Sequence, residues 1–144
     1  MKAFAFFALL SLMFACVQNE IIPVVNQAPP TTVVLPSSDK NEAIKGMFTN
    51  GVHTTSGTVK VLTDSLNTQK RYLSFENLMT DAGPDLYIYM AENTGAKNHV
   101  SITKLTQKGT FYVEVPAQVD LKTHPYVLIW CKQFSVLFGS ARLN

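Results

Sequence analysis

From residue 46 onward, the apolar residues of this chain recur with a period of two, and glycine or proline interrupts the pattern roughly every eight to fifteen residues. Successive side chains of a strand point to opposite faces of a sheet, so a period of two gives each segment one apolar face. Segments 58–63, 85–90 and 111–115 show this alternation most clearly. The pattern predicts an all-β domain of about eight antiparallel strands, folded as a sandwich or as a partly closed barrel.

The C-terminal part of the chain is its most apolar region. Segments 126–131, 134–138 and 141–143 are apolar on both faces, which predicts central strands covered on both sides. Trp130 is predicted to anchor the core. Tyr87 and Tyr89 share one strand face and indicate either an aromatic packing stripe or a ligand-binding stripe. Packing is favoured, because cross-strand aromatic pairs stabilise a sheet by roughly 0.2 to 1 kcal/mol without a ligand.

The first fifteen residues have the organisation of a secretory leader. A lysine is followed by an apolar stretch that ends at Ala15, which is shorter than the roughly 20 residues of a membrane-spanning helix. Residues 12–16 resemble a lipobox, in which the cysteine is lipidated; a secretory signal with an incidental cysteine is the alternative. We predict a signal peptide over residues 1–15 and a lipid anchor on Cys16. Val17 resembles the signal that sorts lipoproteins of Gram-negative bacteria to the outer membrane.

Residues 16–45 are predicted to form a tether. The segment contains four prolines among Gln, Asn, Thr and Ser, and proline excludes a chain from a sheet interior and favours extended conformations. Its short apolar groups at 21–22, 24–25 and 33–35 are candidates for one extra edge strand. The predicted product is a domain over residues 46–144 that is held away from the membrane.

Charge and cysteine content exclude several classes of protein. The formal net charge is +2 over 144 residues, which gives no field that recruits nucleic acid, so no nucleic-acid partner is expected. Carboxylate spacings, serine elbows and phosphate-binding glycine loops typical of hydrolases and nucleotide enzymes do not occur. The two cysteines are Cys16 and Cys131, too few for a disulfide framework, so apolar packing must hold the domain.

Three blocks of the domain, taken together, resemble the DM-thirteen domain, a module of bacterial secreted and lipid-anchored proteins and of animal extracellular proteins. The blocks are residues 46–48 together with 51–59, residues 83–89 and residues 126–141, and the last contains the motif Trp-Cys-Lys-x-Phe-Ser. The resemblance implies a role in extracytoplasmic electron transfer. It also implies that Cys131, the cysteine of that motif, acts as a bare thiol or as a ligand to a prosthetic group.

The residues around Cys131 leave two interpretations open. If the strand runs straight through this position, Cys131 shares a face with Val127 and Ile129 and packs as a small hydrophobic residue. A thiol buried in that way is inert, and Lys132 points to the opposite face. A free thiol in an oxidising compartment, however, requires protection or a role.

A metal or haem site would need ligands besides Cys131. The chain has no Cys-x-x-Cys or Cys-x-x-Cys-His motif, which does not favour a permanently bound metal or haem. His53 lies in the resembling region and is the candidate cofactor ligand that the fold could bring near Cys131; a surface histidine is the alternative. His99 and His124 lie beside turn residues and are expected to be solvated.

Two functional hypotheses follow. In the first, the protein is an anchored redox module in which Cys131 passes electrons or forms a transient mixed disulfide, with a protein redox partner that carries the cofactor. In the second, it is a non-catalytic binding or scaffolding module of the cell envelope, and Cys131 is a core residue. The solvent exposure of Cys131 distinguishes them.

Overall fold

A computed structural model describes residues 44–144. This part of the chain contains eight strands and no helix, and therefore no helix that could cross a membrane. The strands are β1 Lys45–Asn50, β2 Thr55–Thr63, β3 Arg71–Thr80, β4 Leu86–Ala91, β5 Val100–Lys104, β6 Gly109–Val115, β7 Tyr126–Cys131 and β8 Val136–Arg142. The predicted leader, Cys16, the candidate edge strands and residues 17–43 of the predicted tether lie outside the described residues, whereas Lys45, the last residue assigned to the tether, begins β1.

All eight strands belong to one antiparallel sheet, in the order β5-β4-β7-β8-β1-β2-β3-β6. The two outermost strands, β5 and β6, come close to each other without forming a ladder, so the sheet is nearly closed into a barrel. The predicted all-β class with about eight strands is confirmed, and its form is the partly closed barrel rather than the sandwich.

The barrel interior is filled by the apolar face of every strand. In β4, for example, Leu86, Ile88 and Met90 point inward, and in β7 Val127, Ile129 and Cys131 do so. The interior is the main hydrophobic core, and it draws residues from strands that are far apart in the sequence. Burial of this apolar face is the main force that holds the sheet curled, because no disulfide crosses the described part of the chain.

Strand β7 is covered on both faces, as the apolar run 126–131 predicts. Val127, Leu128 and Ile129 are fully buried although neighbours in a strand point in opposite directions. Leu128 belongs to a second apolar cluster on the outer surface of the barrel, together with Tyr89 and Ala91 of β4. Where β4 and β7 pair, the sheet therefore carries buried side chains on both of its faces.

Antiparallel order places the loops at two ends of the barrel. The loops 51–54, 81–85, 105–108 and 132–135 lie at one end, which we call the Cys131 end because β7 finishes there. Ile44, where the described chain begins, lies at the opposite end, which we call the entry end. His53 and Cys131 are thus brought to the same end of the barrel, although 78 positions separate them in the sequence.

Candidate functional site

Cys131 is the last residue of β7 and lies in the interior of the barrel. It pairs with Leu86 of β4 on one side and with Val136 of β8 on the other. Its relative exposure is 0%, and it is the free cysteine of the described residues. It shares the interior face with Val127 and Ile129, as expected for a strand that runs straight through this position.

This burial limits what the sulfur can do. A thiol acts as a nucleophile or exchanges with a disulfide only when its partner can reach it. The neighbours of Cys131 in the core are apolar side chains, which offer neither a ligand nor an activating charge. Lys132 is directed to the outer surface, where its ammonium lies 5.4 Å from the centre of the Tyr87 ring. The surroundings of Cys131 therefore do not suit a bound prosthetic group.

His53 lies in the loop between β1 and β2 and is held by two contacts. Its ring stacks on Phe138 with 3.9 Å between the ring centres, and its Nδ1 lies 3.4 Å from Oδ2 of Asp81. The same carboxylate oxygen accepts a hydrogen bond from the backbone N–H of Thr54 at 3.1 Å. These contacts fix the imidazole over the Cys131 end of the barrel.

The fold brings His53 and Cys131 to one end but does not join them. No hydrogen bond links the two side chains within residues 44–144, and the Phe138 ring on which His53 stacks belongs to the core that encloses Cys131. No group of three or more histidine, cysteine or carboxylate side chains in that range is arranged to hold a metal ion. The role of His53 as a cofactor ligand stays a prediction.

An aromatic cluster, which we call the outer cluster, covers the outer face of β4 and β7. Tyr89 packs against Trp130 with 6.4 Å between ring centres and against Tyr87 with 6.0 Å. Trp130 packs against a buried apolar cluster, but its half-buried side chain lies in the outer cluster and not in the barrel interior, because the strand alternation that turns Cys131 inward turns Trp130 outward. Tyr126 joins the cluster, whereas Tyr112 packs edge-on against Tyr72 elsewhere.

His99 completes this outer cluster in a way that the sequence did not indicate. Although exposed, it stacks on Tyr89 with ring centres 4.3 Å apart, and its Nδ1 lies 3.0 Å from the carbonyl oxygen of Ala96. His124, also expected to be solvated, has its Nε2 at 2.9 Å from the carbonyl oxygen of Asn98. The sequence shows a histidine in the turn between β4 and β5, but only the fold of the β4–β5 hairpin brings its ring onto that of Tyr89.

Charges surround one edge of the outer cluster. The ammonium groups of Lys104 and Lys132 lie 5.9 and 5.4 Å from the centre of the Tyr87 ring, distances typical of cation–π contacts. Lys104 also forms an ion pair with Asp85 at 2.9 Å, and this partner raises the pKa of Lys104. Burial, helped by the nearby Tyr87 and Asp85, raises the pKa of Tyr89 above its usual 10.0. The edge therefore combines aromatic rings with a net positive charge.

The fold and this geometry define a class of protein: a small antiparallel barrel with a cysteine sealed in its core and an aromatic, cationic outer face. The sequence matches the family described as Electron transfer DM13 over residues 47–143, a span that includes almost the whole described domain. The chain therefore belongs to the DM13 family, as its resemblance to the DM-thirteen domain predicts. No curated protein and no solved structure matches the chain.

Proposed function

We propose that this chain is a lipid-anchored protein of the cell envelope whose DM13 domain serves electron transfer by docking a redox partner, with Cys131 as a residue of its core. Family membership supports the electron-transfer role. The leader pattern and the lipobox that ends at Cys16 support the anchor. The partner, an envelope protein, carries the redox cofactor in this proposal.

The complete burial of Cys131 is the observation that carries this form of the proposal. A sulfur without exposed surface cannot form a mixed disulfide with a partner while the barrel stays closed. The outer cluster around Tyr87 and Trp130 offers the surface instead, because half-buried aromatic rings beside cationic side chains are typical of protein interfaces.

A second candidate function places redox chemistry on Cys131 itself. The observation that favours it is the position of this residue at the very end of β7, directly before the exposed turn 132–135. Ser135 in that turn adopts a positive φ of 54°, which is uncommon for a residue other than glycine. Opening of this one turn would shorten the path to the sulfur, and a thiolate formed there would attack a disulfide of the partner, forming a mixed disulfide as the partner's S–S bond breaks and its other sulfur leaves as a thiolate.

Alkylation of the native protein distinguishes the two candidates. The mature chain in non-ionic detergent is treated with iodoacetamide at neutral pH, and modification of Cys131 is followed by mass spectrometry. We expect no modification in the native state and complete modification in guanidinium chloride. The matched control places a thiol three residues away, in the double variant Cys131→Ala/Phe134→Cys, because Phe134 is 63% exposed.

The control thiol should react readily in the native protein. Modification of native Cys131 at a rate comparable with the control would contradict the docking form and favour thiol chemistry. In cells, Cys131→Ala should preserve the phenotype that the wild-type gene complements. Loss of that phenotype by a folded Cys131→Ala protein would contradict the assignment of Cys131 to the core alone.

A further inference from the structure

A cleft of about 570 Å³ lies on the outer surface of the barrel, across β7, β8, β1 and β2 and towards the entry end. Reciprocal backbone hydrogen bonds pair Lys45 with Asn144. The β1–β8 ladder pairs Phe48 with Ala141, so the same register places Met47 opposite Arg142. Arg142 in turn pairs with Tyr126 of β7, and Met47 pairs with Thr58 of β2. These four side chains form one row across the floor of the cleft.

Two cations of the cleft form no ion pair with an aspartate or glutamate of residues 44–144. Lys45 and Arg142 are diagonal neighbours on adjacent strands, a relation in which residues are typically about 7–8 Å apart and their Cβ atoms somewhat closer. Neither takes part in any of the four ion pairs found within residues 44–144. Lys45 also lies opposite Lys60, and the acid beside them, Glu76, is already bound to Lys60 at 2.6 Å. Like charges at this spacing repel each other, and an anion between Lys45 and Arg142 would relieve the repulsion.

The rest of the lining is rich in hydroxyl groups. Thr49, Thr58, Thr94, Ser140 and Tyr126 all contribute to it. The hydroxyl of Thr49 donates to the carbonyl oxygen of Ser140 at 3.2 Å, which leaves its oxygen free to accept a hydrogen bond from a ligand. Met47, 76% exposed, and the ring of Tyr126 supply apolar surface between these groups.

We propose that this cleft binds an acidic saccharide, a sugar chain that carries carboxylate groups. The size is that of an organic ligand pocket and far exceeds what an inorganic anion fills. The carboxylate lies between Lys45 and Arg142, whose guanidinium suits a planar, two-oxygen partner. The sugar hydroxyls meet the threonine and serine hydroxyls, and the apolar face of the ring lies on Met47 and Tyr126. This site lies towards the entry end, away from the Cys131 end; it shares Tyr126 with the outer cluster but does not depend on the proposed electron-transfer role.

Isothermal titration calorimetry on the mature chain in non-ionic detergent tests the proposal. The probe is trigalacturonate, and the neutral maltotriose and inorganic phosphate serve as comparison ligands. The test variant is Lys45→Gln/Arg142→Gln. The matched control, Lys70→Gln/Lys122→Gln, removes the same charge from two exposed lysines outside the cleft.

We expect trigalacturonate to bind the wild-type chain and the control, and the test variant to bind it at least about tenfold more weakly. Single variants at Lys45 and at Arg142 should each show part of this loss, so the result does not depend on the double variant folding well. Tyr126→Phe, which removes only a hydroxyl, should weaken binding less than either charge variant does.

Three outcomes would overturn the proposal. The first is an absence of trigalacturonate binding by the wild-type chain. The second is equal binding by the test variant and the control. The third is equal affinity for trigalacturonate and for inorganic phosphate or maltotriose, since the site would then recognise a bare anion or any sugar. Binding of anionic lipid vesicles without trigalacturonate binding falls under the first outcome and would assign the cations to a membrane surface.

Discussion

Cys131 occupies a position where a side chain of this size is enclosed on all sides, between Leu86 on β4 and Val136 on β8. Its sulfur therefore contributes packing, and its removal leaves a small void. We expect Cys131→Ala to lower the free energy of unfolding by about 1–2 kcal/mol. Cys131→Ser should cost more, because the site offers apolar neighbours rather than a hydrogen-bond partner for the hydroxyl.

Urea unfolding followed by Trp130 fluorescence measures both variants. If Cys131→Ser proved as stable as Cys131→Ala or more stable, the position would have to contain water or a polar partner. That result would undermine the assignment of Cys131 to a closed apolar core.

Tyr89 makes a second residue-level prediction, which concerns alkaline pH. Burial favours the neutral phenol, so the pKa of Tyr89 is higher in the folded than in the unfolded chain. Deprotonation of Tyr89 therefore lowers the free energy of unfolding as the pH rises from 10.0, the ordinary pKa of the unfolded chain, through the raised pKa of the folded chain. Below that range the titration of Tyr89 does not change the stability. Near-ultraviolet absorbance of the tyrosinates should show a late-titrating step that Tyr89→Phe removes. Tyr112→Phe, at a more exposed tyrosine, should leave that step in place.

At the level of elements, the close approach of β8 to the start of β2, beyond the end of β1, depends on a residue without a side chain. A Cβ atom on Gly139 would collide with the side chain of Thr55, which is itself buried and shares a hydrogen bond of 3.1 Å with the hydroxyl of Thr80. We expect Gly139→Ala to destabilise the domain by about 1–3 kcal/mol, since the strands must separate to make room. Thermal unfolding by circular dichroism measures this loss.

Gly95→Ala is the matched control for this corner. A Cβ atom at Gly95, in the loop between β4 and β5, meets only the flexible end of Asn93. Its effect should stay within about 0.5 kcal/mol, as for most surface substitutions. Equal effects of the two substitutions would contradict the close approach of β8 to β2.

The strands differ in how clearly the sequence predicts them. β7 was predicted with its observed bounds, because Tyr126–Cys131 is an uninterrupted apolar run between a proline and a turn. The sequence does not predict β3, because its period of two is interrupted: Leu73 and Phe75 alternate regularly, but a bulge at Asn77 shifts the following residues by one position. Asn77 has a positive φ of 52°. A period of two identifies a strand only while the register holds.

For the whole molecule, the sequence predicted faces but not partners. Strand geometry in segment 126–131 places Cys131 on one face with Val127 and Ile129 but leaves open whether the thiol is buried or reactive, and the sequence does not place Phe138 beneath His53 or His99 above Tyr89. Those contacts depend on sheet order, in which β8 lies beside β1 and β7 beside β4. Strand order follows from the packing of the complete core, and no local pattern encodes it.

The anchor is the remaining prediction for the whole molecule, and the two cysteines of the chain supply its control. Each CH₂ group of the acyl chains on Cys16 would contribute about 0.8 kcal/mol on entering a membrane. Summed over the chains, this far exceeds the electrostatic attraction that the small net charge of the protein could give. We therefore expect the wild-type chain to enter the detergent-rich phase in Triton X-114 separation and to incorporate a labelled fatty acid. Cys16→Ser should stay in the aqueous phase without label, whereas Cys131→Ser should behave as wild type because its position lies within the barrel. Fatty-acid labelling of the Cys16→Ser protein would contradict a lipid anchor on Cys16, because the acyl chains would then be attached at another residue.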